Sequence, residues 1–228
     1  MIDAKERREL NREMNGEPHS ELKSESHGGL NGEPHSELNC AIKRELEKRL
    51  EEARCGESPA PILVAIDGRC AAGKTTLAAR LQAEWRCPVF HMDDFFLRPQ
   101  QRTPERLAQA GENVDHERFK AEILEPWIAG RPFSYRPYSC AEQKLSPAIE
   151  VRPGPLALVE GSYSCHRELR AYYALRIFLN IDPALQEQRL RQRNGAAGWE
   201  RFRDLWIPLE ERYFATGVRD CCELVLDA

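Results

Sequence analysis

The chain has 228 residues, of which 41% are hydrophobic and 31% charged; that balance is globular, and the length buries a core without disulfide or metal staples. Its net charge of −4 is confined to the first 57 residues, which hold 10 Lys+Arg against 14 Asp+Glu, while the rest carry 23 of each. The neutral remainder lacks the basic excess of a nucleic-acid binder, and no apolar run approaches the roughly 20 residues of a membrane span.

Residues 1–38 read as a disordered tail. The octapeptide Asn-Gly-Glu-Pro-His-Ser-Glu-Leu occurs at Asn15–Leu22 and again at Asn31–Leu38. The segment has too few aliphatic residues to offset its ordering entropy, and two copies fall short of the three that a solenoid needs. His19, His27 and His35 invite a metal-binding reading, but the composition favours a duplicated tail. Met1–Asn11 is charged and has no apolar core, so no secretory signal is expected. The eight cysteines include no Cys-x-x-Cys pair, which argues against zinc and for reduced thiols in a cytoplasm.

Residues 39–57 carry Ile42, Leu46, Leu50 and Ala53 at helical spacing, with Asn39 placed to cap the start and Gly56 to close the end. An amphipathic helix packed on the main domain is expected, with a partner-binding helix as the alternative. From 58 to 228 apolar strands alternate with helical patterns. The expected strands are Ile62–Ile66, Pro88–Met92, Leu156–Val159, Arg176–Ile181 and Cys222–Leu226, with a helix over Thr75–Trp85 and another opened by Asp182-Pro183 and closed by Gly195. Continuous apolar strands between helices imply an α/β fold with a parallel sheet covered on both faces. Leu97–Gly154 is proline-rich, with one short helix near His116–Ile128, and reads as an irregular binding insertion.

Gly68-Arg69-Cys70-Ala71-Ala72-Gly73-Lys74-Thr75 fits G-x-x-x-x-G-K-[ST], with a strand before it and a helix after, running on into Thr76. Glycines let successive N–H groups turn toward phosphate oxygens, and the helix N-terminus adds a positive dipole end. Lys74 brings a mobile charge to the β/γ-phosphates and Thr75 a hydroxyl to Mg²⁺. ATP with Mg²⁺ is the expected ligand pair. No Asn-Lys-x-Asp follows, against a guanine switch, and no Leu-Ser-Gly-Gly-Gln appears, against a transporter ATPase.

Phosphoryl transfer also needs carboxylates, and in an open α/β sheet these belong at strand carboxyl ends. Asp93-Asp94 follows the second strand and Glu160 the third. Asp93 is the candidate that accepts the acceptor hydroxyl's proton; Asp94, its neighbour on extended chain, is expected to point away. Glu160 is the candidate second metal ligand beside Thr75. Arg189 and Arg193 lie four apart on one helix face and suit the charge of a transferring phosphoryl group; Arg191 lies elsewhere on the helix, and Arg201 and Arg203 follow Gly195–Gly198.

The ordered set Val64-Ala-Ile-Asp-Gly68, Met92-Asp-Asp-Phe-Phe96, Asn113-Val-Asp-His-Glu-Arg-Phe119, Val159-Glu-Gly161 and the arginine-bearing helix after Asp182-Pro183 resembles the uridine kinase–phosphoribulokinase group of P-loop kinases over Pro61–Ala228. The resemblance implies a three-layer P-loop NTPase fold with a five-stranded parallel sheet and a mobile lid. It also implies that Asp93 acts on a 5′-hydroxyl, that Asp115 contacts ribose hydroxyls and that Tyr135 lies near the base. Cys70, Ala71 and Ala72 depart from the Ser and Gly common in that loop. Ser139 and Cys140 stand where the pyrimidine-reading histidine is expected.

The expected activity is ATP-dependent phosphorylation of a hydroxyl on a small molecule, a pyrimidine nucleoside first. The alternatives are another alcohol, of pantothenate or sugar type, and a non-catalytic ATP-binding protein. No nucleic-acid or membrane partner is expected, and oligomerisation is left open.

Overall fold

The computed structural model describes residues 33–55 and 60–227. The tail reading of 1–32, with the first repeat copy, His19 and His27, lies outside the described residues, as does Gly56. Helix α1 runs Glu33–Cys55 and so begins before Asn39, inside the second repeat copy. Ile42 and Leu46 on its apolar stripe are fully buried, and Leu50 and Ala53 pack against the same cluster as Ile62, Val64 and Leu81. Each buried aliphatic contributes about 1.5–3 kcal/mol, so the stripe is spent within the domain.

Five strands form one parallel sheet. They are β1 (Ile62–Gly68), β2 (Val89–His91), β7 (Leu156–Glu160), β8 (Leu175–Asn180) and β9 (Leu224–Asp227), in the order β2-β7-β1-β8-β9. All seven residues of β1 and all five of β7 are buried, as expected for central parallel strands covered on both faces. Two apolar clusters fill those faces. One holds Phe90, Phe95, Phe119 and Trp127, and the other Val64, Ile66, Leu158 and Ile177 with α1. Helix α2 (Lys74–Trp85) lies on the α1 side, burying Leu77, Ala78 and Leu81.

The chain leaves β1 for β2 past the position that β7 fills, which opens a crevice at the strands' carboxyl ends. The register sets Glu160 and His91 level with Ile66, two residues short of Gly68, which pairs with Leu179.

The proline-rich insertion is more regular than its sequence suggests. It contains the short helices α3 (Pro104–Leu107), α4 (His116–Phe119) and α5 (Glu125–Ile128), the last two joined through a π-helical stretch at Lys120–Leu124. A two-tier antiparallel arm follows, with β3 (Phe133–Tyr135) on β6 (Ile149–Val151) and β4 (Tyr138–Ser139) on β5 (Lys144–Leu145). After β8, Asp182 caps α6 (Pro183–Arg201) by accepting from the N–H groups of Ala184 and Leu185. Gly195 does not close this helix: it kinks it, at φ 71°, and the chain resumes helical geometry into α7 (Ile207–Phe214).

Candidate active site

Gly68 ends β1 with φ +130°, and a Cβ there would lie 2.0 Å from the Leu179 carbonyl oxygen. Only glycine lets β1 and β8 approach this closely at the loop's root. Gly73, at φ 92° in the left-handed region, starts α2 with no side chain capping the helix. The first-turn N–H groups of α2 are thus left without a side-chain cap for an anion, at the positive end of the helix dipole. Ala71 also has positive φ, at 62°, a conformation that costs a residue with a Cβ roughly 1–2 kcal/mol.

Lys74 folds back over the loop. Its Nζ donates to the carbonyls of Gly68 (2.6 Å) and Arg69 (2.9 Å) and to Ser162 Oγ (3.2 Å). Thr75 Oγ1 lies 3.4 and 3.3 Å from the two oxygens of Glu160, whose carboxylate also meets His91 Nδ1 at 2.6 Å. That hydrogen bond is the main reason the His91 pKa is raised. A hydroxyl and a largely buried carboxylate converging beside a phosphate loop are the hard oxygen donors that Mg²⁺ takes, so the residues fit that ion.

Asp93 and Asp94 sit in a 3₁₀ turn (Met92–Phe95) immediately after β2, not on extended chain. Asp93 is exposed and Asp94 half-buried. Burial, with repulsion from Asp93 and Glu160, pushes the Asp94 pKa up to about 6 against the pull of His91 and Arg118. Both carboxylates act on His91, so Asp94 is turned toward the same charge cluster rather than away from it.

Asp115 is buried and committed at the start of α4. Oδ1 accepts from Arg118 N–H (3.2 Å) and Oδ2 from Gln101 Nε2 (2.8 Å), with Arg98 Nη2 at 3.6 Å. Tyr135 is 6% exposed. Its ring stacks on Phe95 and meets Phe90 edge-on, both with centroids 5.8 Å away. Burial first, then Asp94, pushes its hydroxyl pKa up to about 12.

The lid closes on the phosphate loop. Leu190, Trp199 and Phe202 cluster with Cys70 and Ala71, and Trp206 reaches Phe96 with ring centroids 6.1 Å apart. Arg189 Nη1 donates to the Ala71 carbonyl at 3.1 Å. Arg193 instead donates to Asn194 at 2.9 Å, with its guanidinium 5.5 Å from the Phe202 ring centre. Cys70 is buried, and burial pushes its thiol pKa up, which keeps it a poor nucleophile.

No family model and no curated protein matches the chain. Solved structures do. A Bacillus stearothermophilus protein provisionally described as a uridine kinase aligns at TM-score 0.55 and 19% identity, covering 82% of this chain and all of the other. A Silicibacter sp. TM1040 protein provisionally described as a fructose transport system kinase aligns at 0.58 and 24%, covering 82% and 97%. D-glycerate 3-kinase from Cryptococcus neoformans aligns at 0.54 and 14%, covering 84% and 90%. The chain has the fold of small-molecule P-loop kinases.

Within that kinase fold, several residues at the loop carry no sequence signal of their own. Asp67 is fully buried and accepts from the Gly68 and Cys165 N–H groups and the Tyr213 hydroxyl, at 2.7–2.8 Å. Glu210, on α7, accepts from Cys70 N–H (2.9 Å) and Ser162 Oγ (2.5 Å). Gln186 donates to the Cys70 carbonyl at 3.0 Å. Asp67 was legible only as the residue before Gly68. Glu210 and Gln186 reach the loop from more than a hundred residues away in sequence, a distance that no local pattern spans.

Proposed function

We propose that the chain is an ATP-dependent kinase that transfers the γ-phosphoryl group to an alcohol on a small molecule. The observation that carries this reading is the convergence of Lys74, Thr75 and Glu160 at the uncapped start of α2, one strand away from Asp93. In this reading the N–H groups of Ala71–Thr76 cradle the phosphates, and Lys74 exchanges its carbonyl partners for β- and γ-phosphate oxygens. Thr75 and Glu160 hold Mg²⁺, which when bound offsets phosphate charge. Asp93 accepts a hydrogen bond from the acceptor hydroxyl. It takes the proton as the new P–O bond forms and the bond to ADP breaks, a general-base role worth about 10²–10⁴-fold. Arg189, and Arg193 after moving off Phe202, supply positive charge from the lid.

The 5′-hydroxyl of a pyrimidine nucleoside is the first acceptor to test, with Asp115 on the ribose and Tyr135 beside the base. A second reading, another small alcohol such as a sugar, pantothenate or a hydroxy acid, is favoured by Tyr135. Its ring is taken up by Phe90 and Phe95, and Ser139 and Cys140 supply no imidazole. The reading includes a cytoplasmic setting, where ATP is supplied and the free cysteines stay reduced. ADP release over a panel of nucleosides, sugars, hydroxy acids and pantothenate tests it. Turnover that depends on one acceptor and drops at least about 100-fold in Asp93→Asn supports it. ATP binding with no acceptor-dependent turnover refutes it in favour of a non-catalytic nucleotide-binding protein.

A further inference from the structure

The segment that carries Asp115 is tied to the turn after β7 by a buried cluster that the proposed chemistry does not use. Glu112, His116 and His166 each offer a ligand atom, and all three atoms lie within 4.8 Å of one another. Glu112 Oε2 is 3.0 Å from His116 Nε2 and Glu112 Oε1 is 3.5 Å from His166 Nε2. The two imidazoles stack with centroids 4.3 Å apart. His166 is 2% exposed, and its Nε2 has no hydrogen-bond partner. A buried ring nitrogen left unpaired is costly, and the nearest charged group to it is the Glu112 carboxylate.

We propose that Glu112, His116 and His166 form a binding site for a divalent transition cation of the Zn²⁺ class. Bonds of about 2.0–2.1 Å at tetrahedral angles set ligand atoms roughly 3.3 Å apart. The Glu112 carboxylate stands near that distance from each imidazole, through a different oxygen for each, and the stacked rings turn apart for both Nε2 atoms to face one ion. Two imidazoles and one carboxylate suit Zn²⁺, Co²⁺ or Ni²⁺ and are a poor set for Mg²⁺. The set contains no cysteine, which is why cysteine spacing gave no hint of it.

The surroundings fit. Glu112 and His116 line an open cavity of about 660 Å³, from which water can complete the coordination. Arg106 and Arg167 flank the Glu112 carboxylate at 3.5 and 3.7 Å, and a bound cation shares its charge with them, while Glu117 Oε1 stands 3.7 Å from His116 Nε2. Burial and the neighbouring His116 push the His166 pKa down to about 3, so the ring is neutral at physiological pH. A cation at Nε2 moves the remaining proton to Nδ1 and displaces only a long 3.4 Å contact from the Glu168 N–H. Bound there, the cation staples the Asn113–Phe119 segment to the turn after Glu160.

Titration of the metal-free full chain with Co²⁺ tests the site. One equivalent should produce visible absorption of low-coordinate Co²⁺, and Zn²⁺ should abolish the colour and raise Tm by mass action. His166→Asn should weaken binding about 100-fold or more. If that variant loses its fold in metal-free buffer, Glu112→Gln carries the same expectation. His91→Gln, and the triple variant His19→Asn, His27→Asn, His35→Asn, should bind as the wild type does, separating this cluster from the phosphate site and the tail. Absence of Co²⁺ binding at micromolar concentration overturns the proposal. Binding that survives the cluster substitutions, or that disappears with the tail histidines, overturns it as well.

Discussion

Arg189 of the lid donates to the carbonyl of Ala71, and Ala71 is the phosphate-loop residue held at a left-handed φ of 62°. The contact thus secures a peptide that an L-residue with a Cβ resists. Ala71→Gly relieves that resistance at the expense of a more mobile unfolded chain and a small lid contact, and should change stability by between zero and about +1 kcal/mol. Ala71→Val puts a β-branched side chain at the same φ and should lose about 1–2 kcal/mol or more. Urea unfolding of the pair checks this. A valine variant as stable as the glycine one would show that the loop is not held left-handed at residue 71.

Gly68 makes a stronger demand. The atom facing its missing Cβ is the backbone carbonyl of Leu179 at 2.0 Å, with no flexible side chain to move aside. Gly68→Ala must separate β1 from β8 or twist the residue out of φ +130°. It should cost about 3 kcal/mol or more by urea unfolding and weaken nucleotide binding with it. Gly130, also at positive φ but with nothing within 4 Å of its Cβ position, is the control. Gly130→Ala should lose only about 1–2 kcal/mol.

Asp94 links stability to pH. Its pKa in the folded protein is pushed up to about 6 from a usual 3.8, first by burial. Between those values the folded state binds the proton and the unfolded state does not. Stability therefore falls as pH rises across this window and the penalty persists above it. Asp94→Asn removes the charge and should stabilise the protein at pH 8 by roughly 1–2 kcal/mol, with no gain near pH 3.5. Thermal melts at the two pH values check the sign. A variant destabilised equally at both would mean that the Asp94 carboxylate is held by interactions that outweigh its desolvation.

The fold was legible because each sheet strand is an apolar run bounded by loop chemistry, and because Gly68–Thr75 has one well-known geometry. Glu160 was legible for the same reason, as the polar end of an apolar strand. What was misread has local physical causes. The 3₁₀ turn over Met92–Phe95 removes the alternation that would have sent Asp94 away from Asp93. Gly195 adopts a φ that bends a helix without ending it, and the residues beyond it have enough apolar surface, in Trp199 and Phe202, to resume helix against the loop. Asp115, which the resemblance assigns to ribose hydroxyls, also caps α4 and accepts from Gln101 and the Arg118 N–H. The cluster of Glu112, His116 and His166 depends on tertiary packing that brings His166 to a helix start fifty residues away.

The contact between His91 and Glu160 carries a prediction about the metal requirement. The two are register partners at the ends of β2 and β7, with His91 Nδ1 2.6 Å from the carboxylate that the proposed function assigns to Mg²⁺. Glu160 holds the His91 pKa above 6.5. A proton on His91 and a cation on Glu160 therefore compete for one negative charge. In the ligand-free protein the stabilisation from this pair is complete below pH 6.5 and is lost as pH rises through the folded pKa. Cation binding runs the other way. The Mg²⁺ concentration giving half-maximal turnover should fall across the same range, by at most about tenfold per pH unit for a single proton. His91→Gln keeps an amide donor toward Glu160 but carries no titrating charge, so it should flatten both dependences and leave the Mg²⁺ requirement near the wild-type value at high pH. Magnesium titrations of turnover from pH 6 to 9 read this out. A requirement that does not change with pH in the wild type, or one that changes equally in the variant, would separate His91 from the metal-binding carboxylate.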